Sequence, residues 1–162
     1  MGKVIEFKGF INKSRNQDKN KADYDNNRKK TNKLFVMIGI PCSGKSTYVE
    51  KYLKSTNTII VSTDEIRKKL TGTYKFSSVG NEQIFDIAKT EIHEGLNGGF
   101  DVVFDATNTN KKYRKSILKI SKLNSVQAIA VVLKTPLQIC LERNLERTLE
   151  RKVPQDILMK IS

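Results

Sequence analysis

The hydrophobic pattern changes texture at Leu34. "LFVMIGI" (34–40) is an unbroken apolar run, and "TIIVS" (58–62), "DVVFD" (101–105) and "VQAIAVVL" (126–133) read the same way. Short continuous runs of this kind predict strands buried on both faces. Between them the apolar period lengthens. Ile84, Ala88, Ile92 and Leu96 recur every four residues, and Gly98–Gly99 closes that helix. Lys112 to Lys122 predicts another helix, with Ile117, Leu118 and Ile120 as its apolar side. Pro136 sits where a helix begins, followed by Leu137, Cys140 and Leu141 on one face. Strands alternating with helices imply parallel βαβ units. The expected fold is α/β in three layers, with a central parallel sheet of four to five strands and helices on both faces.

Upstream of Leu34 the pattern disappears. Residues 12–33 hold only Ala22 and Tyr24 as apolar residues. Such a stretch cannot bury enough surface to offset its ordering entropy, so it is expected to be disordered. The chain then divides into a basic extension, 1–33, and one folded domain, 34–162. "VIEFKGFI" near the start reads equally as a short strand or as a docking peptide.

Charge adds a partner class. The 162 residues carry a net +13, which suits a polyanion such as a nucleic acid or nucleotide. Residues 1–33 hold 10 basic and 4 acidic side chains, and residues 34–162 hold 20 and 13, so the folded part is basic in its own right. The two cysteines, Cys42 and Cys140, form neither a disulfide framework nor a zinc pattern. No apolar run approaches a membrane span, and the N-terminus lacks the apolar segment of a signal peptide; the expectation is a cytoplasmic protein with reduced thiols.

The sharpest chemical signal is "GIPCSGKST", spanning Gly39, Ile40, Pro41, Cys42, Ser43, Gly44, Lys45, Ser46 and Thr47. It matches G-x-x-x-x-G-K-[ST], the loop that cradles nucleotide phosphates. Gly39 and Gly44 permit a tight turn with backbone N–H groups facing inward, and the following helix aims its N-terminal amides at the same point. Lys45 is placed to reach the β- and γ-phosphates of ATP, and Ser46 to bind Mg²⁺. An apolar strand ends just before the loop and "STYVEKYL" continues as a helix with Tyr48, Val49 and Tyr52 as its apolar positions, so an ordinary glycine turn is the poorer reading. Cys42 reads as a small residue filling the turn rather than a redox site.

Ligands of open α/β sheets sit beyond the C-terminal ends of the strands, so the polar residues there are the further candidates. After the second strand comes "STDEIRKK". Asp64 is suited to take a proton from an acceptor hydroxyl, and Arg67, one helical turn on, to hold a phosphate. The plainer reading is that Ser62, Thr63 or Asp64 caps a helix, and the two roles are compatible. After the third strand comes "DATNTN". Asp105 occupies the place of a second metal-side carboxylate, and Thr107 and Asn108 either contact substrate or orient the loop. Asn108, Thr109 or Asn110 also suits a helix cap. His93 lies mid-helix without metal-ligand spacing and reads as a packed or surface histidine. "DYDNN" (23–27) has no preceding strand and carries no expectation.

"LERNLERTLERKVP" repeats a four-residue unit, placing Arg143, Arg147 and Arg151 in one register and Leu141, Leu145 and Leu149 in another. Arg–Glu pairs at i,i+3 suit an exposed helix, but arginines stacked at i,i+4 repel each other without a counter-anion. The phosphate loop supplies one. The expectation is a C-terminal arginine lid, its leucine register packing the helix start against the sheet and Arg143 and Arg147 facing the nucleotide, with either Arg147 or Arg151 making the critical phosphate contact.

Together these four sites resemble the kinase domain of the polynucleotide 5′-hydroxyl kinase family, from about Lys33 to Ser162. "GIPCSGKST" is similar to the family's phosphate loop, "STDEIR" to its acceptor motif, "DATN" to its third motif, and "RNLERTLERKVP" to its arginine-bearing lid. The resemblance implies a P-loop NTPase fold. It implies a general-base role for Asp64, a substrate-phosphate contact for Arg67, and ATP contacts for Arg143, Arg147 and Arg151. Two departures stand out against the T-even phage enzyme. Ala106 intervenes between Asp105 and Thr107, and the lid segment before Val153–Pro154 is one residue longer. The chain ends just after the kinase-like region, so the 3′-phosphatase activity of the phage enzyme is not expected.

The expected activity is transfer of the ATP γ-phosphoryl group to a hydroxyl, with the 5′-OH of RNA or DNA as acceptor. Lys45, Asp64, Arg67 and Arg147 are the catalytic group, Thr107 and Asn108 join Asp64 and Arg67 at the acceptor, and Ser46 and Asp105 hold Mg²⁺. The same motifs occur in kinases of small metabolites, which keeps a small-molecule hydroxyl open as acceptor. A nucleotide-dependent nucleic-acid-binding NTPase without an acceptor is a third reading. Motor ATPases commonly place an acidic pair after this strand, and Ala106 following Asp105 argues against it.

Overall fold

The computed structural model describes residues 6–8, 32–75 and 80–161. The expected disorder of 12–33 therefore falls largely outside the described residues. The order of elements is β1 (Glu6–Lys8), β2 (Lys33–Ile38), α1 (Lys45–Tyr48, continued by a π turn over Val49–Leu53), β3 (Thr58–Ser62), α2 (Thr63–Thr71), α3 (Asn81–Asn97), β4 (Asp101–Asp105), α4 (Lys111–Leu123), β5 (Gln127–Val132), α5 (Leu137–Leu145) and α6 (Gln155–Lys160).

The sheet runs β1-β5-β2-β4-β3. The four strands read from apolar runs pair in parallel, with Phe35 opposite both Val103 and Ile129. Central parallel strands need apolar residues on both faces, and the two core clusters lie on the two faces accordingly. One gathers Leu34, Val61, Ile92, Phe104 and Ile117; the other Met37, Val49, Val103 and Val131. The fifth strand is β1, antiparallel to β5 with Glu6 opposite Val131. Within "VIEFKGFI", the described residues Glu6–Lys8 form this strand.

Asn32, just before β2, also makes contacts with the fold. The Asn32 side-chain amide donates to the carbonyls of Leu96 and Phe100, both at 2.9 Å, and ties the entry of β2 to the end of α3. Gly98 caps α3 and Gly99 adopts φ 78°, so the glycine pair ends that helix as its sequence implies. Asn110 caps α4, accepting from the Lys112 amide at 2.8 Å.

The apolar assignments on helix faces need two adjustments. In α4, Ile117 and Ile120 are buried while Leu118 is 43% exposed. In the helix after the phosphate loop, Val49 is buried and Tyr52 is largely exposed, and within the π turn it is Leu53 that packs against the core. Among the described residues no helix is long and apolar enough to cross a membrane.

Candidate active site

β2 lies between β5 and β4, and the chain leaves it to reach β3 by crossing over β4. The C-terminal end of β2 is thus the point where strand order reverses, and the phosphate loop starts there. Gly39 has no room for a side chain: a Cβ would stand 2.7 Å from Ser43 Oγ and 3.1 Å from the Leu133 carbonyl. Gly44 caps α1 at φ 94°, a conformation that strains any residue with a Cβ. Cys42 adopts φ 64° in the same turn. Three neighbours pin the loop. The Gly39 amide donates to the Thr107 carbonyl at 3.0 Å, the Thr135 hydroxyl donates to the Ser43 carbonyl at 2.8 Å, and Arg143 Nη1 donates to the Cys42 carbonyl at 3.2 Å.

Lys45 folds back into this loop. Its ammonium donates to the carbonyls of Gly39 and Ile40, both at 2.9 Å, and the residue is 8% exposed. Burial pushes the ammonium below the ordinary lysine pKa, and the Asp105 and Asp64 carboxylates pull it part of the way back. Ser46 Oγ donates to Asp105 Oδ2 at 2.7 Å. Burial raises the Asp105 carboxyl above its ordinary value, opposed by that hydrogen bond and by Lys45. A buried carboxylate and a hydroxyl held together at the mouth of the loop are hard oxygen donors. They fit a Mg²⁺ ion, which binds through one or two carboxylates beside phosphates.

Asp64 and Arg67 meet across one helical turn. Arg67 Nη1 donates to Asp64 Oδ1 at 2.7 Å, with the arginine side chain 10% and the carboxylate 56% exposed. The cation forms the floor and the carboxylate faces the opening. Ser62 occupies the N-cap of α2 without a side-chain capping bond, which leaves Asp64 free of that duty. All of these side chains line one cleft of about 1050 Å³, together with Thr107, Arg143 and Arg147.

Three sequence expectations are corrected. Asn108 does not reach the cleft. It is buried at φ 50° and its amide donates to the Met37 carbonyl at 2.8 Å, so it orients the loop after β4 from behind. The arginine repeat is not one helix. α5 ends at Leu145, and residues 149–151 form a turn closed by Arg147 Nη1 donating to the Arg151 carbonyl at 3.1 Å. Only the helix start of the leucine register packs: Leu141 is half-buried, while Leu145 and Leu149 are 72% and 87% exposed, and Cys140 and Asn144 are the buried residues of α5. With the helix broken, Arg151 parts company with Arg147. Its guanidinium lies 3.7 Å over the Tyr74 ring and 3.4 Å from Glu65, away from the phosphate loop.

Several residues in and around the cleft gave no sequence signal. Asn144 closes the loop before α6, donating to the Val153 carbonyl at 2.8 Å and accepting from the Val153 amide at 3.1 Å. Nothing marks this pairing in advance, because its partner is backbone nine residues away. Phe85 and Tyr113 stack face to face at 4.3 Å on the cleft wall. Each sits in a helical pattern that reads as core. His93 is exposed, bonded to Asn97 and Asn124.

The family profile for the AAA domain (AAA_33) spans residues 34–161, most of the chain. The chain belongs to this family. The AAA domain matched here has the P-loop kinase fold, and among its relatives are kinases. It is 32% identical over 130 residues to the L-seryl-tRNA(Sec) kinase of Methanococcus maripaludis, covering 77% of this chain and 49% of that one. It is 32% identical over 115 residues to 6-phosphofructo-2-kinase/fructose-2,6-bisphosphatase 4 of Rattus norvegicus, covering 60% and 24%. The chain thus spans half or less of the length of these relatives. Among solved structures, the Pnkp1/Rnl/Hen1 RNA repair complex aligns with a TM-score of 0.71 at 22% identity, over 84% of this chain and 44% of that one. The Mycobacterium tuberculosis APS kinase CysC in complex with AMPPNP and APS aligns at 0.57 and 21%, over 70% and 69%. These structural likenesses establish the shared fold of the AAA domain.

Proposed function

We propose that the protein is an ATP-dependent phosphotransferase whose acceptor is a hydroxyl, specifically the 5′-OH of RNA or DNA. The observation that carries this reading is the convergence of Lys45, the Ser46–Asp105 pair and the Asp64–Arg67 pair on one cleft. The first two suit the donor side, and the third faces them from the neighbouring strand end.

Lys45 exchanges its carbonyl partners for the β- and γ-phosphate oxygens. Asp64 accepts the proton as the acceptor oxygen attacks. A new P–O bond forms on the acceptor, the bond from the γ-phosphorus to the bridging oxygen breaks, and ADP leaves. Arg67 and Arg147 offset the charge on the equatorial oxygens. Ser46 and Asp105 would hold Mg²⁺, which when bound supplies further charge neutralisation at the phosphates. Ala106, buried beside Asp105, puts no acidic neighbour at the end of β4 to activate water, which favours an acceptor over simple hydrolysis. Arg143, bonded to the phosphate loop, and Arg147 form the lid, and Arg151 braces it from the Tyr74 side.

Support for a nucleic-acid acceptor comes from the basic folded domain and from the fold shared with the RNA repair complex. A small-molecule or serine hydroxyl is the second reading, favoured by the 32% identity to a seryl-tRNA kinase. Radiolabelled γ-phosphate transfer to 5′-OH oligonucleotides, nucleosides and a hydroxyl metabolite panel separates the two. Labelling of a metabolite but of no oligonucleotide would replace the first reading with the second.

A further inference from the structure

The positive charge of the folded part is not spread evenly. Residues 34–162 hold 20 basic and 13 acidic side chains, an excess of seven. Helix α4 alone holds Lys111, Lys112, Arg114, Lys115, Lys119 and Lys122 and no acidic residue, so six of that excess sit on 13 residues. Helix α3 has the opposite balance, with Glu82, Asp86, Glu91 and Glu94 against Lys89. A lysine-rich composition would scatter its charge; this arrangement concentrates it.

The geometry of α4 turns that charge into a ridge. At 100° per residue, Lys111, Lys115, Lys119 and Lys122 fall within one arc of about 80°. Ile117, Ile120 and Ser121 fill the opposite arc and are buried, so the ridge points away from the sheet into solvent. All five lysines of α4 are exposed, and none has a carboxylate within ion-pair distance among the described residues. Lysines stacked at i,i+4 repel one another, a cost that a bound polyanion removes. The ridge also leads into the cleft. Asn110 and Tyr113, at the first turn of α4, line the same cleft as Asp64 and Arg67, and Tyr113 offers an aromatic surface already braced by Phe85.

We propose that the outer face of α4 is the track along which a single-stranded nucleic acid docks its phosphate backbone, while its 5′ end enters the cleft past Tyr113. The proposal rests on the nucleic-acid reading of the acceptor, because it names where the rest of that acceptor lies. Lysines contribute phosphate contacts without base readout, so the track is indifferent to sequence.

The test uses the full chain with Lys115, Lys119 and Lys122 all changed to Glu, none of which lines the cleft. A Gln triple variant guards against misfolding, and a control reverses Lys54, Lys69 and Lys160 for the same change in net charge. Binding of a fluorescent 5′-OH 20-mer is titrated across salt concentrations, with melting temperature and ATP-analogue binding checked alongside. The α4 variants are expected to lose about tenfold or more in affinity, and the slope of log affinity on log salt to fall by about two, the loss of three backbone contacts. The control should stay near wild type. Equal weakening in the control, an unchanged slope in the α4 variants, no 20-mer binding by the wild type, or binding of anionic vesicles in its place each overturns the track. Phosphate transfer is read separately. A wild type that labels 5′-OH ends while the α4 variants bind normally keeps the activity and removes the track. A wild type that binds through α4 but labels no oligonucleotide keeps the track and removes the activity.

Discussion

Arg67 and Asp64 are joined at 2.7 Å with the cation buried and the carboxylate facing the cleft. The pair is half-buried: solvent screens the exposed carboxylate but not the cation beneath it, so its net contribution to stability is modest. Its orientation matters more. The guanidinium fixes Asp64 toward the opening, where a hydroxyl would meet a carboxylate of settled direction. Replacing Asp64 by Asn should therefore lower kcat by about 10²–10⁴-fold, the usual worth of a general base. ATP-analogue binding should stay within a few-fold of wild type. Equal losses in both would mean that Asp64 shapes the nucleotide site instead.

Arg147 and Arg151 should separate in the same assay. Arg147 lines the cleft, while Arg151 lies on Tyr74 and Glu65. Arg147→Ala should cost on the order of 10³-fold in kcat, as for arginines that meet a transferring phosphoryl group. Arg151→Ala should cost far less and should be mimicked by Glu65→Gln. A larger loss for Arg151 would show that the turn rearranges when ATP binds.

Asp105 gives a pH-dependent prediction. Burial raises its pKa above the unfolded value, so the ionised form is held at a cost in the fold. A carboxyl with a raised folded pKa contributes stability below its unfolded pKa and loses it as pH rises through the folded one. Asp105→Asn should melt higher than wild type near pH 7, with the difference shrinking as pH falls toward 4. The same variant should lose any Mg²⁺-dependent gain in nucleotide affinity. A variant that melts lower at pH 7 would assign the Asp105–Ser46 bond a structural role.

Asn144 holds the turn before α6 through two hydrogen bonds to the Val153 backbone. Asn144→Ala leaves both backbone groups unpaired in a part-buried turn, a loss of about 1–3 kcal/mol. For a chain of this length that lowers Tm by about 2–4 °C per kcal/mol. Scanning calorimetry checks it, and an unchanged Tm would mean that water replaces the amide.

The strands were legible because each central parallel strand is apolar on both faces, and "TIIVS" and "DVVFD" carry their own boundaries. The phosphate loop was legible because its glycines, lysine and serine each answer a geometric need. The arginine repeat misled because periodicity describes a helix that could form, whereas the turn at 149–151 is held by bonds that no local pattern shows. Asn108 left two readings open for a related reason. An Asn at a strand end suits either a ligand or a φ of 50°, and only the Met37 carbonyl decides. Tyr113 and Phe85 were hidden among ordinary apolar helix positions until α3 and α4 were placed side by side.

Transfer of a phosphoryl group to a hydroxyl is the reaction proposed for this cleft. Incubation with γ-labelled ATP, Mg²⁺ and a 5′-OH oligonucleotide tests it most directly, with Asp64→Asn in parallel. Label is expected on the oligonucleotide 5′ end from the wild type, and little or none from the variant. Release of labelled inorganic phosphate with no labelled acceptor, equally from both proteins, would contradict it.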